Sequence, residues 1–277
     1  MAEGHLGATL VASYKFTEEE SMSNDSADNR ARFAQATEIT TATYDRVARD
    51  YADRHETHAE HWVERMEQFV ELLERNEARQ PIPELGRPGD DATLEEYLQF
   101  VPVLDAGCGP GRDSRALAEY GLPVLGADIS QGMLDEAGER TARRLPKGFI
   151  RYALMDMRRL DLPDASCRGV WCSASLLHLP LRTAPRAVGE LVRVTRAGGP
   201  LAVFLKARRP DEEAERLRKY ENLEEEQGQR FFAYYTPDEA RTLLEDAGIE
   251  ILDVATVADP RTPEVLGWVT LLARKPV

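Results

Sequence analysis

Val101-Pro102-Val103-Leu104-Asp105-Ala106-Gly107-Cys108-Gly109-Pro110-Gly111-Arg112-Asp113 decides the fold of this 277-residue chain. A short apolar run ends in a carboxylate and opens into glycines at every second position. That pattern reads as a buried parallel strand turning sharply into a helix. Glycines at such a turn accept positive φ and let a ligand approach bare backbone. The first turn of the following helix then points its unpaired N–H groups at that ligand. The stretch is a cofactor cradle.

Downstream of it, strands and helices alternate, which predicts parallel strands joined by right-handed crossovers. A helix through Ala116, Leu117 and Tyr120 stops at Gly121. Pro123 to Ala127 reads as the second strand, closing on Asp128, and Ser130 caps the next helix. Phe149 to Leu154 is the third strand, ending at Asp156, and Gly169 to Ser173 is the fourth. A helix after Thr183 runs to a C-cap at Gly198-Gly199, and Pro200 to Leu205 supplies the fifth strand. Residues 208–228 are charge-dense and read as an exposed helix or a lid. Thr236-Pro237-Asp238-Glu239 is a capping box opening a helix that buries Leu243, Leu244 and Ala247 and ends at Gly248. Ile249 to Val254 and Trp268 to Ala273 complete a seven-stranded, mostly parallel α/β sheet, its last strand antiparallel, flanked by helices.

Upstream, Tyr44, Val47, Ala48 and Tyr51 recur at helical spacing, as do Trp62, Met66, Phe69, Val70 and Leu73. Residues 31–98 are therefore expected to form an N-terminal helical cap over the site, interrupted by a Pro/Gly-rich break at 80–90. Between the two helices, His55, His58 and His61 fan over roughly 120° of a helix, so a solvated face suits them better than metal ligation. Residues 1–30 are polar and read as a disordered tail, with Met1 and Met22 both open as starts.

Hydrophobic residues make up 42% of the chain, enough for a sizeable core, and the formal charge of −14 argues against a nucleic-acid surface. Cys108, Cys167 and Cys172 cannot all pair and lack metal-ligand spacing. Neither a signal peptide nor a transmembrane run is legible. A cytoplasmic protein is expected, monomeric or homodimeric, with no metal, membrane or nucleic-acid partner.

The cofactor follows from what the cradle lacks. A dinucleotide turn needs a small residue where this chain has Arg112, and a phosphate loop needs Gly-Lys-Ser/Thr. Asp105 would repel a pyrophosphate but suits an amino group. Leu104-Asp105-Ala106-Gly107-Cys108-Gly109-Pro110-Gly111 resembles motif I of class I S-adenosylmethionine (SAM)-dependent methyltransferases, and the likeness recurs at each strand end. The resemblance implies that Gly107, Cys108, Gly109 and Gly111 pass the methionine portion of SAM and that Asp105 faces its ammonium. It further implies Asp128 on the ribose diol, with Ile129, Met133, Asp156 and Met157 around the adenine. Ser173 follows at the fourth strand's end, and Tyr44 and Tyr51 resemble tyrosines that close over SAM in small-molecule members. S-adenosylhomocysteine (SAH) would be the product.

Methyl transfer from a sulfonium is an in-line displacement, which demands alignment first and a base only if the acceptor must lose a proton. Ser173-Ala174-Ser175-Leu176-Leu177-His178-Leu179 replaces the Asn/Asp-Pro-Pro-Tyr/Phe motif of many nucleic-acid amino-methyltransferases. His178 reads either as base or substrate contact or as a buttress of its loop. Lys206, Arg230, Tyr234 and Tyr235, with Phe231, read either as acceptor-pocket residues suited to an anionic or aromatic small molecule, or as core and rim. The expectation is O- or N-methylation of a small molecule. A protein or RNA methyltransferase and a catalytically silent SAM-binding protein stand as alternatives.

Overall fold

The computed structural model describes residues 35–57, 60–77, 79, 89, 92–146, 148–209, 211–220, 228–259 and 262–277. The expected tail, His58 and nearly all of the 80–90 break lie outside these residues. Residues 36–277 form one compact unit. Its helices are α1 (Ala36–Arg54), α2 (Glu60–Glu77), α3 (Leu94–Leu98), α4 (Arg112–Glu119), α5 (Gln131–Ala142), α6 (Ala184–Val194) and α7 (Pro237–Glu245). Among the described residues, no helix is long and apolar enough to cross a membrane.

At the centre is β1 (Val103–Ala106), buried at all four positions. It pairs in parallel with β2 (Val124–Asp128) on one side and with β4 (Gly169–Ser173) on the other. Beyond β2 lies β3 (Ile150–Leu154), and beyond β4 lies β5 (Pro200–Ala207), both parallel. Strand order thus reverses beside β1, which opens a crevice at the carboxyl ends of β1, β2 and β4. Asp105 and Ala106 stand beside Gly126 and Ala127 in that register, so Asp128 and the glycine turn reach the same edge. The sheet continues through β9 (Thr262–Arg274), antiparallel to β5, and β8 (Glu250–Asp259), antiparallel to β9.

These are the seven strands expected from sequence, and two more join them. The described part of residues 208–228 contains a strand rather than a helix: β6 (Glu215–Lys219) pairs antiparallel with β7 (Gln229–Tyr235). The end of β7 then runs parallel to β5, Lys206 opposite Tyr234 and Ala207 opposite Tyr235. Among the described residues the sheet therefore has nine strands. Helix α6 also ends sooner than expected, with Thr195 as an extended C-cap, and Gly198 at φ +72° makes the turn into β5 instead. In α7 the fully buried side chains are Ala240 and Leu244.

The two N-terminal helices have different jobs. Trp62, Met66, Phe69 and Leu73 of α2 pack into one cluster with Val103, Trp171, Phe204 and Leu272. Burying each such side chain contributes about 1.5–3 kcal/mol, so α2 is a layer of the core rather than a cover. Helix α1 instead spans α5 and β7. Asp45 accepts from Ser130 Oγ (2.6 Å) and Gly132 N–H (3.0 Å), and Thr40 Oγ1 accepts from Phe231 N–H (3.0 Å). Directly after α1, Glu56 accepts from Arg115 (3.0 Å) and Arg140 (3.1 Å) and pairs with Arg144.

Candidate active site

The carboxyl edge of β1, β2 and β4 and the inner face of α1 enclose a cleft of about 1130 Å³, its mouth included. Of the residues expected to hold the cofactor, Asp105, Gly107, Cys108, Gly109, Asp128, Ile129, Met133, Asp156, Met157, Ser173, Tyr44 and Tyr51 line it, as does His178.

After β1 the chain turns through Gly107, Gly109 and Gly111, at φ +72°, +52° and +74°. Gly107 N–H (2.7 Å) and Cys108 N–H (3.0 Å) both donate to Ala127 O, continuing the ladder with β2 past the end of β1. The other two glycines have different reasons to be glycine. A Cβ on Gly111 would stand 2.3 Å from Tyr152 Oη, so this residue is required by packing and is absent from the cleft lining. A Cβ on Gly109 would meet no atom within 4 Å, in a residue that lines the cleft. Its side is the open side of the cradle.

Three carboxylates sit beneath this turn. Asp128 Oδ2 accepts from Gly109 N–H (2.8 Å) and Oδ1 from Ser130 N–H (2.9 Å), which fixes the carboxylate against the loop. Burial raises its pKa against these stabilising bonds. Asp105 is 1% exposed and accepts from Ser114 Oγ (2.6 Å). Burial, reinforced by the neighbouring charge of Asp113, pushes its pKa up strongly. Asp113 is itself held by Arg112 Nε (2.7 Å) and Trp171 Nε1 (2.8 Å). Asp105 and Asp128 are bonded by a hydroxyl and by backbone N–H groups rather than by a cation, which favours a cationic ligand above them. Asp156 behaves differently: burial would raise it, but its bonds with Arg158 leave it below the usual carboxylate range. Arg158 N–H (2.8 Å) and the Arg158 guanidinium (2.6 Å) occupy the two oxygens of Asp156.

The opposite wall is built by side chains remote in sequence. Tyr44 Oη lies 2.8 Å from His178 Nε2, and His178 Nδ1 lies 2.7 Å from Phe231 O. A carbonyl only accepts, so Nδ1 carries the proton and Nε2 accepts from the tyrosine. Tyr44 and His178 are half-buried, open to the cleft and otherwise enclosed by protein. Burial lowers His178 to about 4, partly opposed by its bond to Phe231, and pushes the Tyr44 hydroxyl well up. Tyr51 meets Tyr44 edge-on at 5.4 Å.

Other expectations meet corrections. Lys206, Arg230, Tyr234 and Tyr235 are absent from the cleft lining. Lys206 falls on the face of β5 that carries Ala202 and Phe204, and its ammonium lies 4.1 Å from the centre of the Trp268 ring. Tyr235 is buried on the other face of β7 from Arg230 and Tyr234, its hydroxyl without a partner among the described residues. The histidines do not share a helix, since α1 ends at Arg54 and α2 begins at Glu60. His55 lines the cleft, its ring stacked 4.1 Å from that of Tyr51.

Sequence reasoning missed Thr37, Thr40 and Thr41, cleft residues that α1 brings in with no local signature. It also missed the conformation of Ala174, a cleft residue at φ +55° just after β4. That strain costs of order 1–3 kcal/mol and turns the chain so that Ser175 Oγ donates to Ala106 O (2.6 Å).

Residues 103–199 match the sequence profile of a family described as "Methyltransferase domain". The O-methyltransferase cnsE of Penicillium expansum is 28% identical over 183 residues, 63% of each chain. The S-adenosyl-L-methionine-dependent Diels-Alderase iccD of Talaromyces variabilis is 33% identical over 181 residues, 61% of this chain and 60% of the other. This chain thus spans 63% and 60% of the length of these two curated relatives. A SAM-dependent methyltransferase of Methanosarcina mazei shares the fold at a TM-score of 0.55 and 24% identity, over 66% of this chain and 97% of that one. The strand order and the glycine turn agree with the profile match, which identifies residues 103–199 as a methyltransferase domain.

Proposed function

We propose that this chain transfers the methyl group of SAM to an oxygen or nitrogen of a small molecule. The observation that carries the reading is Asp128. Its carboxylate, part of the cleft lining, is locked by two backbone N–H groups next to the one glycine of the turn whose missing Cβ leaves open space. Each carboxylate oxygen keeps a lone pair for a diol, a geometry that gives two short charge-assisted bonds. Met133, Ile129 and Met157 offer the apolar flank for a base, and the acidic floor at Asp105 suits an ammonium.

SAM, when bound, supplies an electrophilic methyl group on a sulfonium. The chain's contribution is to align and enclose. Helix α1, tied to α5 through Asp45 and to β7 through Thr40, closes one side and excludes water. His178, lowered to about 4 and already accepting from Tyr44, is a weak base. It serves to hold an acceptor or the Tyr44 hydroxyl in place rather than to strip a proton outright. An acceptor that arrives already nucleophilic fits this wall best.

Incubation with methyl-labelled SAM and a metabolite extract tests the reading. A labelled small molecule and stoichiometric SAH are the expected result, and binding of SAM without SAH formation would remove it. The weakness of that base also favours a second reading, a SAM-dependent catalyst of ring closure, since the relative from Talaromyces variabilis is named a SAM-dependent Diels-Alderase. Product formation with no consumption of SAM would establish that alternative.

A further inference from the structure

Strand alternation puts Arg230, Phe232 and Tyr234 on one face of β7. The antiparallel register sets Arg218 opposite Arg230 and Arg216 opposite Phe232, so these arginines share that face. The guanidiniums lie over rings: Arg216 is 4.9 Å from Tyr234, Arg218 is 5.8 Å from Phe232, and Arg230 is 4.6 Å from Tyr220 and 5.3 Å from Phe232. The face adjoins the cleft. Phe232 meets the His178 ring at 4.8 Å, and Arg230 stands 5.8 Å from the ring of Tyr44.

The face carries three arginines in a chain whose formal charge is −14. Among the described residues, Glu212 is paired with Arg216, and Asp50 is paired with Arg54 and accepts from Tyr220. Neither Arg218 nor Arg230 makes an ion pair among the described residues. Arg230 Nε is buried and has no hydrogen-bond partner among them. A buried donor left unsatisfied costs about as much as a lost hydrogen bond, and more for a charged group, so such a donor marks a place for an acceptor atom. Guanidiniums match carboxylate and phosphate in fork geometry, and aromatic rings beside them favour a planar body.

We propose that the arginine-and-aromatic face of β6–β7 holds the anionic group, carboxylate or phosphate, of a planar acceptor and presents that acceptor beside the Tyr44–His178 pair. The proposal rests on the methyl-transfer reading and names the acceptor class for it. It replaces Lys206 and Tyr235 with Arg218, Phe232 and Tyr220 as the groups that select the substrate.

The test is calorimetric titration of the SAH-loaded protein with benzoate, phenyl phosphate and neutral benzamide. Benzoate or phenyl phosphate is expected to bind at least tenfold more tightly than benzamide, and the stronger of the two identifies the anion. Arg230→Gln should weaken that anion at least tenfold, and the exposed Arg218→Gln severalfold. Arg230→Lys should recover part of the loss, with SAH affinity unchanged in every variant. Equal binding of benzamide, failure of every probe to bind, or full anion affinity in both glutamine variants would overturn the proposal. If the wild type fails to bind SAH, the methyl-transfer reading falls instead. The same titrations on cofactor-free protein then judge the arginine face by the same criteria.

Discussion

The two walls of the cleft are made by opposite means. On the β1–β2 side the groups are close in sequence and fixed by backbone: Gly107 and Cys108 donate to Ala127, and Asp128 is clamped by Gly109 and Ser130. On the far side the groups come from α1, the turn after β4, and β7, and are fixed by side chains. Tyr44 and His178 are 134 positions apart, and Phe231 lies a further 53 on. A wall of backbone amides is unchanged by most substitutions, whereas a wall of side chains can be rewritten without unfolding the sheet. That difference suits a protein whose cofactor is fixed and whose acceptor is its own.

The comparison breaks most directly at Asp128. Asp128→Ala removes a charged acceptor from Gly109 and Ser130 and, in the proposed complex, from a ribose. Hydrogen bonds to charged groups contribute about 1.5–3 kcal/mol each, so loss of two lowers SAM affinity about a hundredfold or more. Isothermal titration checks this, and wild-type affinity in the variant would take Asp128 out of the cofactor wall.

Two glycines sharpen it next. Gly111→Ala drives a methyl group to 2.3 Å from Tyr152 Oη, which itself bonds Thr141 Oγ1 at 2.8 Å, and does so at positive φ. A stability loss of about 2–4 kcal/mol is expected in denaturant melts. Gly109→Ala meets no clash and should lose only about 1–2 kcal/mol from its φ of +52°, while its methyl group enters the cleft and weakens SAM binding more than tenfold. If the two variants lose stability equally, the distinction between the packing glycine and the cradle glycine is wrong.

On the acceptor wall the effects fall on turnover. Tyr44→Phe keeps the ring beside Tyr51 but removes the donor to His178 Nε2. Turnover should drop about tenfold or more with SAM affinity within threefold, and His178→Ala should do the same. Because the two residues share one hydrogen bond, the double variant should be little worse than the weaker single. Additive losses would separate them.

The same contrast explains what the sequence could say. The cofactor wall is a run of strand ends, each an apolar stretch followed by a carboxylate, so the places of Asp105, Asp128 and Asp156 were legible from local pattern, while the roles of Asp128 and Asp156 toward SAM came from the resemblance. The acceptor wall was not. Glu215-Arg216-Leu217-Arg218-Lys219 has the alternation of a strand, but with charge on both faces, and only its pairing with Phe231 and Phe232 reveals why. Lys206 was misplaced because its neighbours do not tell which face of β5 looks into the cleft. Ala202 and Phe204, four and two positions back, pack with Trp62 of α2, and that contact settles it. The division between α1 and α2 was hidden for the same reason, since both helices show an apolar stripe and only the tertiary partners differ.

The smallest expected effect is on pH dependence, and it again separates the walls. His178 has its folded pKa lowered from 6.5 to about 4, so the folded state resists protonation where the unfolded chain accepts it. Its contribution to stability is therefore complete above pH 6.5 and is lost as pH falls through the range down to about 4. The unfolding temperature of the wild type should fall more steeply over that range than that of His178→Gln, whose side chain cannot titrate. Between pH 6 and 8 turnover should show no step from this residue, because the ring is already neutral. A turnover step near pH 6.5 that vanishes in His178→Gln would mean the ring is poised as a working base, and the acceptor wall would then be one that moves protons rather than one that only holds its substrate.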